Sequence, residues 1–394
     1  MFELRSLSRN AINIPESGTL KILEISKNME RKGINVIHLD VGEPMFDTPN
    51  EIKKAAIDAL NKGLTKYTPS KGIYELRKAI LDTYNQKYKL SLNPNKNIII
   101  TPGAKFSVFS ALLSIVSEGD EVVILTPTWV SYWAPIKYIG GKIVEVDVMN
   151  ENSDYEEKLK SFISKKTKVL IVNTPNNPTG KVLEKHELKI IRDLSEDYDF
   201  YVLVDEIYSF LTYESEFHSI LEFNDILDRV VIIDGFSKKY AMTGWRLGYA
   251  IGPQEIINLM NKIQQAATTS PTSFVQYAAL VVFEYSEKIN RKINLMKETF
   301  KENRDLAVKL LSEIDNISFN IPQGAFYIFP DISRYYKDSK KFTIDLLEKK
   351  HVSVTPGVAF GRGGEGHIRI SFSASREALT EGISLIKEFL VGGK

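Results

Sequence analysis

The chain has 394 residues, and a single hydrophobic core usually serves no more than roughly 250 to 300, so two domains are expected. Its 51 basic and 50 acidic residues leave a net charge of +1, which provides no long-range field to attract nucleic acid or an anionic membrane. Cysteine is absent, which excludes disulfides, thiolate nucleophiles and cysteine metal sites.

The amino-terminal segment and the histidines exclude further classes of protein. Residues 1–17 mix charged and polar side chains and lack the apolar core of a signal peptide. No stretch approaches the roughly 18 to 20 apolar residues of a membrane span, so a cytoplasmic protein is expected. The five histidines show no metal-ligand spacing, and no metal site is therefore expected.

The predicted elements begin with a helix over residues 19–32, for which Thr19 is a suitable N-cap. From about residue 95 to residue 252, short β-rich runs then alternate with longer helical patterns, which indicates βαβ units and a mainly parallel sheet. Seven strands are predicted, at 97–101, 121–125, 142–146, 169–173, 201–205, 230–234 and 247–251. The sequence therefore predicts an α/β fold whose large domain has helices on both faces of a seven-stranded sheet.

The chain after this sheet predicts a second unit. Residues 285–311 form a long amphipathic pattern without proline or glycine, suited to a helix that bridges two domains. Short strands are expected at 317–321, 325–329, 352–354 and 367–372, followed by a closing helix at 375–390. Together with the first helix, these elements predict a smaller α+β domain from residues 1–44 and 285–394, beside a large domain at 45–284.

Polar residues follow the predicted strands at their carboxyl ends, where open α/β sheets bind ligands. Ser237 and Lys238 come just after strand 230–234, and Arg246 follows eight residues later. A buried lysine near a second cation loses its proton near neutral pH, because burial and like charge both disfavour the ammonium form. Lys238 is therefore expected to form a Schiff base with an aldehyde cofactor. Taken alone, Lys238 and Lys239 are more typical of two solvated lysines in a turn.

Other motifs occur with Ser237-Lys238 in a fixed order along the chain. They are Gly42-Glu43-Pro44, Tyr67-Thr68-Pro69-Ser70-Lys71-Gly72, Thr101-Pro102-Gly103-Ala104-Lys105, Asn177-Pro178-Thr179-Gly180, Asp205-Glu206-Ile207-Tyr208, Gly244-Trp245-Arg246-Leu247-Gly248-Tyr249, Gly324-Ala325-Phe326-Tyr327 and Ile368-Arg369-Ile370-Ser371. From Thr19 to Phe372, the chain resembles the class I, fold type I aminotransferases that depend on pyridoxal phosphate. The aspartate aminotransferase-like branch of bacteria and archaea is the most similar.

The resemblance implies a pyridoxal 5'-phosphate cofactor and a ping-pong transfer of an amino group from an amino acid to a 2-oxo acid. Aspartate or glutamate with 2-oxoglutarate is the default pair. Gly103, Ala104 and Lys105 separate a strand from a helix start, where free N–H groups and the helix dipole can bind the cofactor phosphate. Arg246 and Ser237 can add bonds to the same phosphate. Without the resemblance, a plain strand-to-helix connection is an equal alternative.

The cofactor ring and the reaction require further groups. Asp205 can keep the pyridine nitrogen protonated, Tyr208 and Asn177 can donate to the phenolic oxygen, and Trp129 can stack on the ring. Lys238, Asp205 and Tyr208 are thus the expected catalytic residues. Considered alone, Asp205 is more typical of a helix amino terminus and Trp129 of a core.

Substrate binding is expected from Arg369, whose guanidinium can bind the α-carboxylate with two parallel bonds. Gly42 allows the backbone to approach the same carboxylate, and Trp129 and Asn177 are expected to contact substrate as well. An arginine on a sheet surface is the alternative for Arg369. In the resembled family the tyrosine at position 67 reaches the phosphate of the neighbouring subunit, which implies a homodimer with shared active sites.

Several alternatives remain open at this point. An aromatic, alanine or kynurenine-type aminotransferase, or a C–S β-lyase, has the same fold, and a non-enzymatic pyridoxal-binding regulator is less compatible with the chain length. Met45 and Phe106 depart from the usual pattern and favour an apolar substrate side chain. The glycine-rich residues 361–366 precede a strand rather than a helix, so they predict a mobile loop and not a dinucleotide site.

Overall fold

The computed structural model describes residues 7–15, 18–149 and 154–392. The helices within these residues are α1 (Arg9–Ile12), α2 (Gly18–Arg31), α3 (Asn50–Asn61), α4 (Tyr74–Tyr88), α5 (Ala104–Ile115), α6 (Trp133–Ile139), α7 (Tyr155–Lys160), α8 (Lys185–Tyr198), α9 (Gln254–Ala267), α10 (Ser273–Glu284), α11 (Ser286–Ser312), α12 (Ser339–Lys350) and α13 (Arg376–Gly392). The strands are β1 (Ile37–His38), β2 (Ile98–Thr101), β3 (Glu121–Thr126), β4 (Lys142–Asp147), β5 (Thr167–Asn173), β6 (Tyr201–Asp205), β7 (Val230–Gly235), β8 (Gly248–Ile251), β9 (Tyr327–Ile328), β10 (Val352–Ser353), β11 (Thr355–Pro356) and β12 (Ile368–Ser371).

The large sheet has seven strands in the order β2-β8-β7-β6-β5-β3-β4. Strand β8 runs antiparallel to β2 and β7, and the other neighbouring pairs are parallel. The predicted α/β fold with a mainly parallel seven-stranded sheet is therefore confirmed, with strand ends shifted by at most two residues. Its central strands are nearly continuous runs of valine, isoleucine and leucine, because a parallel sheet is covered on both faces.

The alternation of side chains along the strands divides the interior between two faces. Leu170 and Val172 of β5 join a core with α3, α4, α8 and α10, whereas Val169 and Ile171 join a core with α5, α6 and α9. Helices thus cover both faces, and the carboxyl ends of the parallel strands stay open at one edge of the sheet. This edge is where β5, β6 and β7 present their polar residues.

A further core forms around α11, α12, α13 and two small sheets. One small sheet pairs β1 with β10 in parallel, and the other has the antiparallel order β11-β12-β9. Because these elements come from both ends of the chain, the separate core supports the division into residues 45–284 and residues 1–44 with 285–394. That division stays a prediction. None of the described helices is long and apolar enough to cross a membrane.

Two local expectations are wrong. Helix α2 begins at Gly18, so Thr19 lies inside its first turn rather than at the N-cap. Residues 317–321 form no regular strand, since only Ser318 makes an isolated bridge, to Asp331. Ile321 is 60% exposed and precedes Pro322, which has no N–H to extend a ladder. The apolar pattern there resembles a strand, but within the described part of the chain this single bridge is its only strand pairing.

Residues 361–366 form a loop before β12, as predicted, and this loop packs against the edge of the large sheet. The backbone N–H of Arg362 donates to Oε2 of Glu145 at 2.6 Å. A Cβ on Gly363 would lie 2.6 Å from the carboxyl group of Asp147, and the backbone there has a φ of 81°. Glycine is needed at this position because both the space and the backbone conformation exclude a side chain.

Candidate active site

A cavity of about 500 Å³ opens at the carboxyl ends of β5, β6 and β7. The predicted site residues that line it are Gly42, Ala104, Lys105, Trp129, Asn177, Asp205, Tyr208, Ser237, Lys238, Arg246 and Arg369. Residues separated by more than 300 positions in the chain therefore meet in one place. Of the predicted set, Gly103 adjoins the lining through Ala104, and Tyr67 lies elsewhere.

Lys238 follows β7 and extends into this cavity. Its Nζ donates to the backbone carbonyl of Gly42 and lies 6.0 Å from the centre of the Phe326 ring. The pKa of Lys238 is lowered to about 8, mainly by desolvation. Arg369 and Arg246 act in the same direction, and Glu43 opposes them. Burial and nearby cations were the two causes expected from the sequence, and here burial is the larger.

Asp205 is the last residue of β6 and is 3% exposed. Its Oδ2 accepts a hydrogen bond from the hydroxyl of Tyr132 at 2.8 Å, and its Oδ1 accepts one from the N–H of Ile207 at 3.2 Å. Burial raises the pKa of Asp205 to about 6, while both hydrogen bonds act in the opposite direction. The carboxyl group is therefore mostly ionised at neutral pH and held in one orientation.

Tyr208 lies three residues further on, and its hydroxyl is 2.7 Å from that of Tyr327. The two rings meet edge to face, with centroids 5.7 Å apart. Burial raises the pKa of Tyr208 well above its usual range, so this hydroxyl keeps its proton and remains a hydrogen-bond donor. A Cβ on Gly42 would lie 2.7 Å from the Tyr327 oxygen, which explains why a glycine occupies that position.

Arg369 on β12 enters the cavity from the small antiparallel sheet. Its Nη1 donates to Oδ1 of Asn177 at 3.0 Å, and its Nη2 donates to the carbonyl of Asp40 at 2.5 Å and to Oγ1 of Thr355 at 3.1 Å. The guanidinium carbon lies 4.4 Å from the centre of the Tyr327 ring. Its Nε is buried and has no hydrogen-bond partner among the described residues. Such an orphaned donor is costly unless a ligand supplies an acceptor.

The start of α5 forms one wall of the cavity. Gly103 has a φ of 85°, and its N–H donates to the carbonyl of Thr101 at 2.7 Å. This N–H therefore already has an acceptor within the chain, and the phosphate-binding role expected for Gly103 stays a prediction. The first bonds of the helix run from Phe106 and Ser107 back to Gly103, which leaves the amides of the intervening Ala104 and Lys105 as the helix-terminal donors.

Arg246 lies against this helix start. It has a φ of 54°, an uncommon conformation for a residue other than glycine, and its Nη1 donates to the carbonyl of Thr243 at 2.8 Å. A Cβ on Gly103 would lie 2.6 Å from Nη2 of Arg246, so glycine lets the guanidinium reach the helix terminus. Burial, with a smaller effect of Arg246, lowers the pKa of Lys105. A helix terminus with a cation beside it is an arrangement that can bind an anion.

The geometry can be compared with known proteins. The family model described as aminotransferase class I and II matches residues 34–386. The chain belongs to this family. This aminotransferase is 40% identical over 384 residues to the (5-formylfuran-3-yl)methyl phosphate transaminase of Methanocaldococcus jannaschii, covering 98% of this chain and 99% of that relative.

It is also 40% identical over 392 residues to an aspartate aminotransferase of Pyrococcus horikoshii, covering 98% of each chain. A solved structure of the aspartate aminotransferase of Thermus thermophilus with maleate superposes with a TM-score of 0.93 at 36% identity, covering 98% of this chain and 100% of the other. The predicted membership in the aspartate aminotransferase-like branch is confirmed. The protein thus transfers amino groups from amino acids to 2-oxo acids, and its family depends on pyridoxal phosphate.

Several residues at the aminotransferase site were not identified as site residues from the sequence, and three of them make contacts that matter for the chemistry. Tyr132 holds Asp205, Tyr327 bonds to Tyr208, and Glu43 lines the cavity near Lys238. Tyr327 and Glu43 stand in motifs that carry the family resemblance, yet the motifs alone assign them no contact. Tyr132 offered only the weak signal of an aromatic residue three positions after Trp129, to which it packs edge to face at 5.4 Å.

Tyr67 is the predicted site residue that the aminotransferase chain does not bring into its own cavity. Its side chain is 87% exposed, and it lines a separate cleft together with Thr65, Pro271 and Phe274. An exposed tyrosine on such a cleft is compatible with a residue that acts in a neighbouring subunit. The shared dimeric site remains a prediction.

Proposed function

We propose that this aminotransferase binds pyridoxal 5'-phosphate through Lys238 and that aspartate or glutamate is its preferred amino donor, with 2-oxoglutarate as acceptor. The observation that carries this proposal is the meeting of Lys238, Asp205 and Arg369 in one cavity. They are an amine, a buried carboxyl group and a guanidinium. These three groups match the aldehyde, the ring nitrogen and the substrate carboxylate that the reaction requires.

The remaining groups of the cavity fit the cofactor. With a pKa of about 8, about a tenth of Lys238 is the free amine at pH 7, which is the form that bonds to an aldehyde. The amides at the start of α5 and the guanidinium of Arg246 fit a phosphate. Trp129 presents a ring for stacking, and Tyr208 and Asn177 present donors for a phenolic oxygen.

The chain's own residues have distinct tasks in this reaction. When bound, pyridoxal phosphate supplies an electron sink for charge at the substrate α-carbon. Asp205 would hold a proton on the ring nitrogen, and Lys238 would hold the cofactor aldehyde and exchange a proton at the substrate α-carbon. Arg369 would orient the α-carboxylate. Its buried Nε, which has no hydrogen-bond partner among the described residues, supports a ligand-binding role. Gly42 offers a carbonyl that holds Nζ of Lys238 within the cavity.

An acidic donor requires a cation for its distal carboxylate. Among the described residues, the cations that line the cavity are Lys105, Lys238, Arg246 and Arg369. The last three already have proposed partners, so Lys105 is the one left for the distal group. Its Nζ lies 5.3 Å from the centre of the Trp129 ring, and its lowered pKa is compatible with a site that gains from a bound anion.

The assembly and the location of the protein are further proposals. An exposed Tyr67 supports a homodimer in which this hydroxyl binds the cofactor phosphate of the other subunit. We also expect the protein to act in the cytoplasm on small-molecule substrates.

The proposal is tested by half-transamination, in which each amino acid converts the cofactor without an acceptor and the change of absorbance gives the rate. We expect aspartate or glutamate to exceed alanine and phenylalanine in specificity constant by about a hundredfold. A specificity profile in which aromatic amino acids react best would contradict the proposed acidic donor. It would indicate that Met45 and Phe106 select an apolar substrate side chain. Release of ammonia in place of a conserved amino group would indicate a lyase.

A further inference from the structure

Beside the cavity, the ring of His38 lies between two carboxylates from different elements. Nδ1 of His38 is 3.0 Å from Oδ1 of Asp40, and Nε2 is 3.1 Å from Oε1 of Glu30. Glu30 belongs to α2 and Asp40 to the chain that leaves β1 toward the cavity. The side chains of His38 and Asp40 are 20% and 5% exposed. The partly buried imidazole thus connects helix α2 to the segment that lines the cavity wall.

The segment attached to His38 supplies two carbonyls to the active site. The carbonyl of Asp40 accepts from Nη2 of Arg369 at 2.5 Å, and that of Gly42 accepts from Nζ of Lys238. The backbone between them therefore faces both the proposed carboxylate-binding arginine and the proposed cofactor lysine. A shift of this segment would move both acceptors together.

We propose that His38 is a positioning residue whose protonated ring ties α2 to the segment 40–42 and so keeps Arg369 in place for the substrate carboxylate. The inference rests on the proposed role of Arg369 as the α-carboxylate group. If His38 has this role, substrate affinity depends on the protonation of His38, a pH dependence that the reaction chemistry alone does not require.

The reason for this dependence is the number of protons on the ring. An imidazolium donates from both nitrogens, whereas a neutral imidazole donates from one and presents a lone pair at the other. Because both partners of His38 are carboxylates, the neutral ring can satisfy only one of them and repels the other. Loss of the proton therefore opens one side of the bridge, either at Glu30 or at Asp40.

The charged groups around the ring favour the protonated form. The hydrogen bond with Asp40 is the largest cause that raises the pKa of His38, burial opposes it, and Glu30 adds to it. Lys27 on α2 lies 2.9 Å from Oε2 of Glu30 and keeps that carboxyl group ionised. The strand paired with β1 places the uncharged Ser353 opposite His38, and the uncharged Thr355 of β11 bonds to the carbonyl of Asp40. Helix α13 meets this region at Gly382, beside the apolar side chains of Ile37 and Leu39.

The sign of the effect follows from the raised pKa. The bridge is fully present below the ordinary histidine pKa and is lost as pH rises through the raised value. The wild-type KM for the amino acid should therefore increase across that window. The substitution His38→Gln removes the bridge at every pH, so the variant and the wild type should differ at low pH and converge at high pH.

The test uses the cofactor-loaded enzyme and the amino acid that reacts fastest in the half-transamination survey. Below the ordinary histidine pKa, His38→Gln should raise KM about fivefold and change kcat less than about twofold, and the KM ratio should approach one as pH rises through the raised value. Glu30→Gln should have a smaller effect in the same direction and add little to His38→Gln in the double variant. His186→Gln is the matched control, because His186 also lies beside an acid, Glu184 at 3.2 Å, but is largely exposed.

A second readout does not depend on activity. The chain has five histidines, so imidazole resonances can be assigned by substitution, and that of His38 should titrate above the free histidine value and move down in Glu30→Gln. A KM ratio that is constant with pH, an unchanged KM, or a His38 ring that titrates normally would overturn the inference. The variant Arg369→Lys separates the two proposals. An unchanged KM in this variant would contradict the proposed role of Arg369. A raised KM in Arg369→Lys together with an unchanged KM in His38→Gln would remove only the positioning role of His38.

Discussion

Replacing Asp205 by asparagine should weaken catalysis and stabilise the cofactor-free protein at the same time. The carboxylate is expected to keep the ring nitrogen of the cofactor protonated, and a neutral amide cannot do so. Loss of one such electrostatic contact in a dry site costs on the order of 10² to 10³ in rate. We therefore expect kcat to fall by at least about a hundredfold while the cofactor still binds through Lys238.

The gain in stability follows from the buried charge. In the folded protein the pKa of Asp205 is raised from 3.8 to about 6, so the folded chain binds this proton more tightly than the unfolded chain. Stability is consequently lost as pH rises from about 4 to about 6 and stays lower above that range. The shift corresponds to roughly 3 kcal/mol. Asp205→Asn should recover part of it at pH 8, because asparagine carries no charge and keeps an acceptor for one of the two donors, Tyr132 and the N–H of Ile207.

Two assays on the same variant test this reasoning. Turnover of the loaded enzyme gives the catalytic loss, and denaturant unfolding of the cofactor-free protein at pH 4.5 and pH 8 gives the stability change. The wild type serves as the control at both pH values, and the variant's advantage should shrink at the lower pH. Near-normal turnover would refute the role at the ring nitrogen. Equal destabilisation of the variant at both pH values would refute the account of the buried charge.

Three further predictions concern single contacts of the site. Tyr132→Phe removes a hydrogen bond that lowers the pKa of Asp205, so the acid limb of the plot of kcat/KM against pH should move to higher pH. If that limb does not move, the hydrogen bond from Tyr132 does not act on the group that titrates there. Lys105→Gln should lower kcat/KM for aspartate by about tenfold or more and leave alanine nearly unchanged, whereas equal losses for both would assign Lys105 to the cofactor alone. Mixed Tyr67→Phe and Lys238→Ala subunits should regain activity, because one hybrid site contains both intact residues, and no recovery after demonstrated subunit exchange would argue against shared sites.

The sequence predicted the large sheet well because its signal is local. Strands β5, β6 and β7 each contain an unbroken apolar run that a parallel sheet buries on both faces. Polar residues end β5 and β6, and Ser237 and Lys238 follow shortly after β7. Asp205 and Lys238 could therefore be placed at the open edge of the sheet from their position alone. The family resemblance then gave Arg369 its place, although 192 residues separate it from Asn177.

The contacts that the sequence did not predict depend on the packing of distant segments. The hydrogen bond from Tyr132 to Asp205 spans 73 positions, and no periodic pattern identifies such a pair. The occupied N–H of Gly103 reflects the local turn to Thr101, which the glycine signal does not specify. Residues 317–321 have a strand-like composition, but pairing requires a neighbouring strand, and the fold supplies only one bridge there.

The most direct test of the account is to find the lysine that binds the cofactor. Lys238 lies in the cavity with Asp205 and Arg369, whereas Lys239 lies 5.4 Å from the Tyr240 ring and lines a separate cavity with Asp234. After borohydride reduction of the loaded enzyme, peptide mapping should find the pyridoxyl group on Lys238, in the wild type and in Lys239→Ala alike. A pyridoxyl group on Lys239, or on any other lysine, would contradict the site described here.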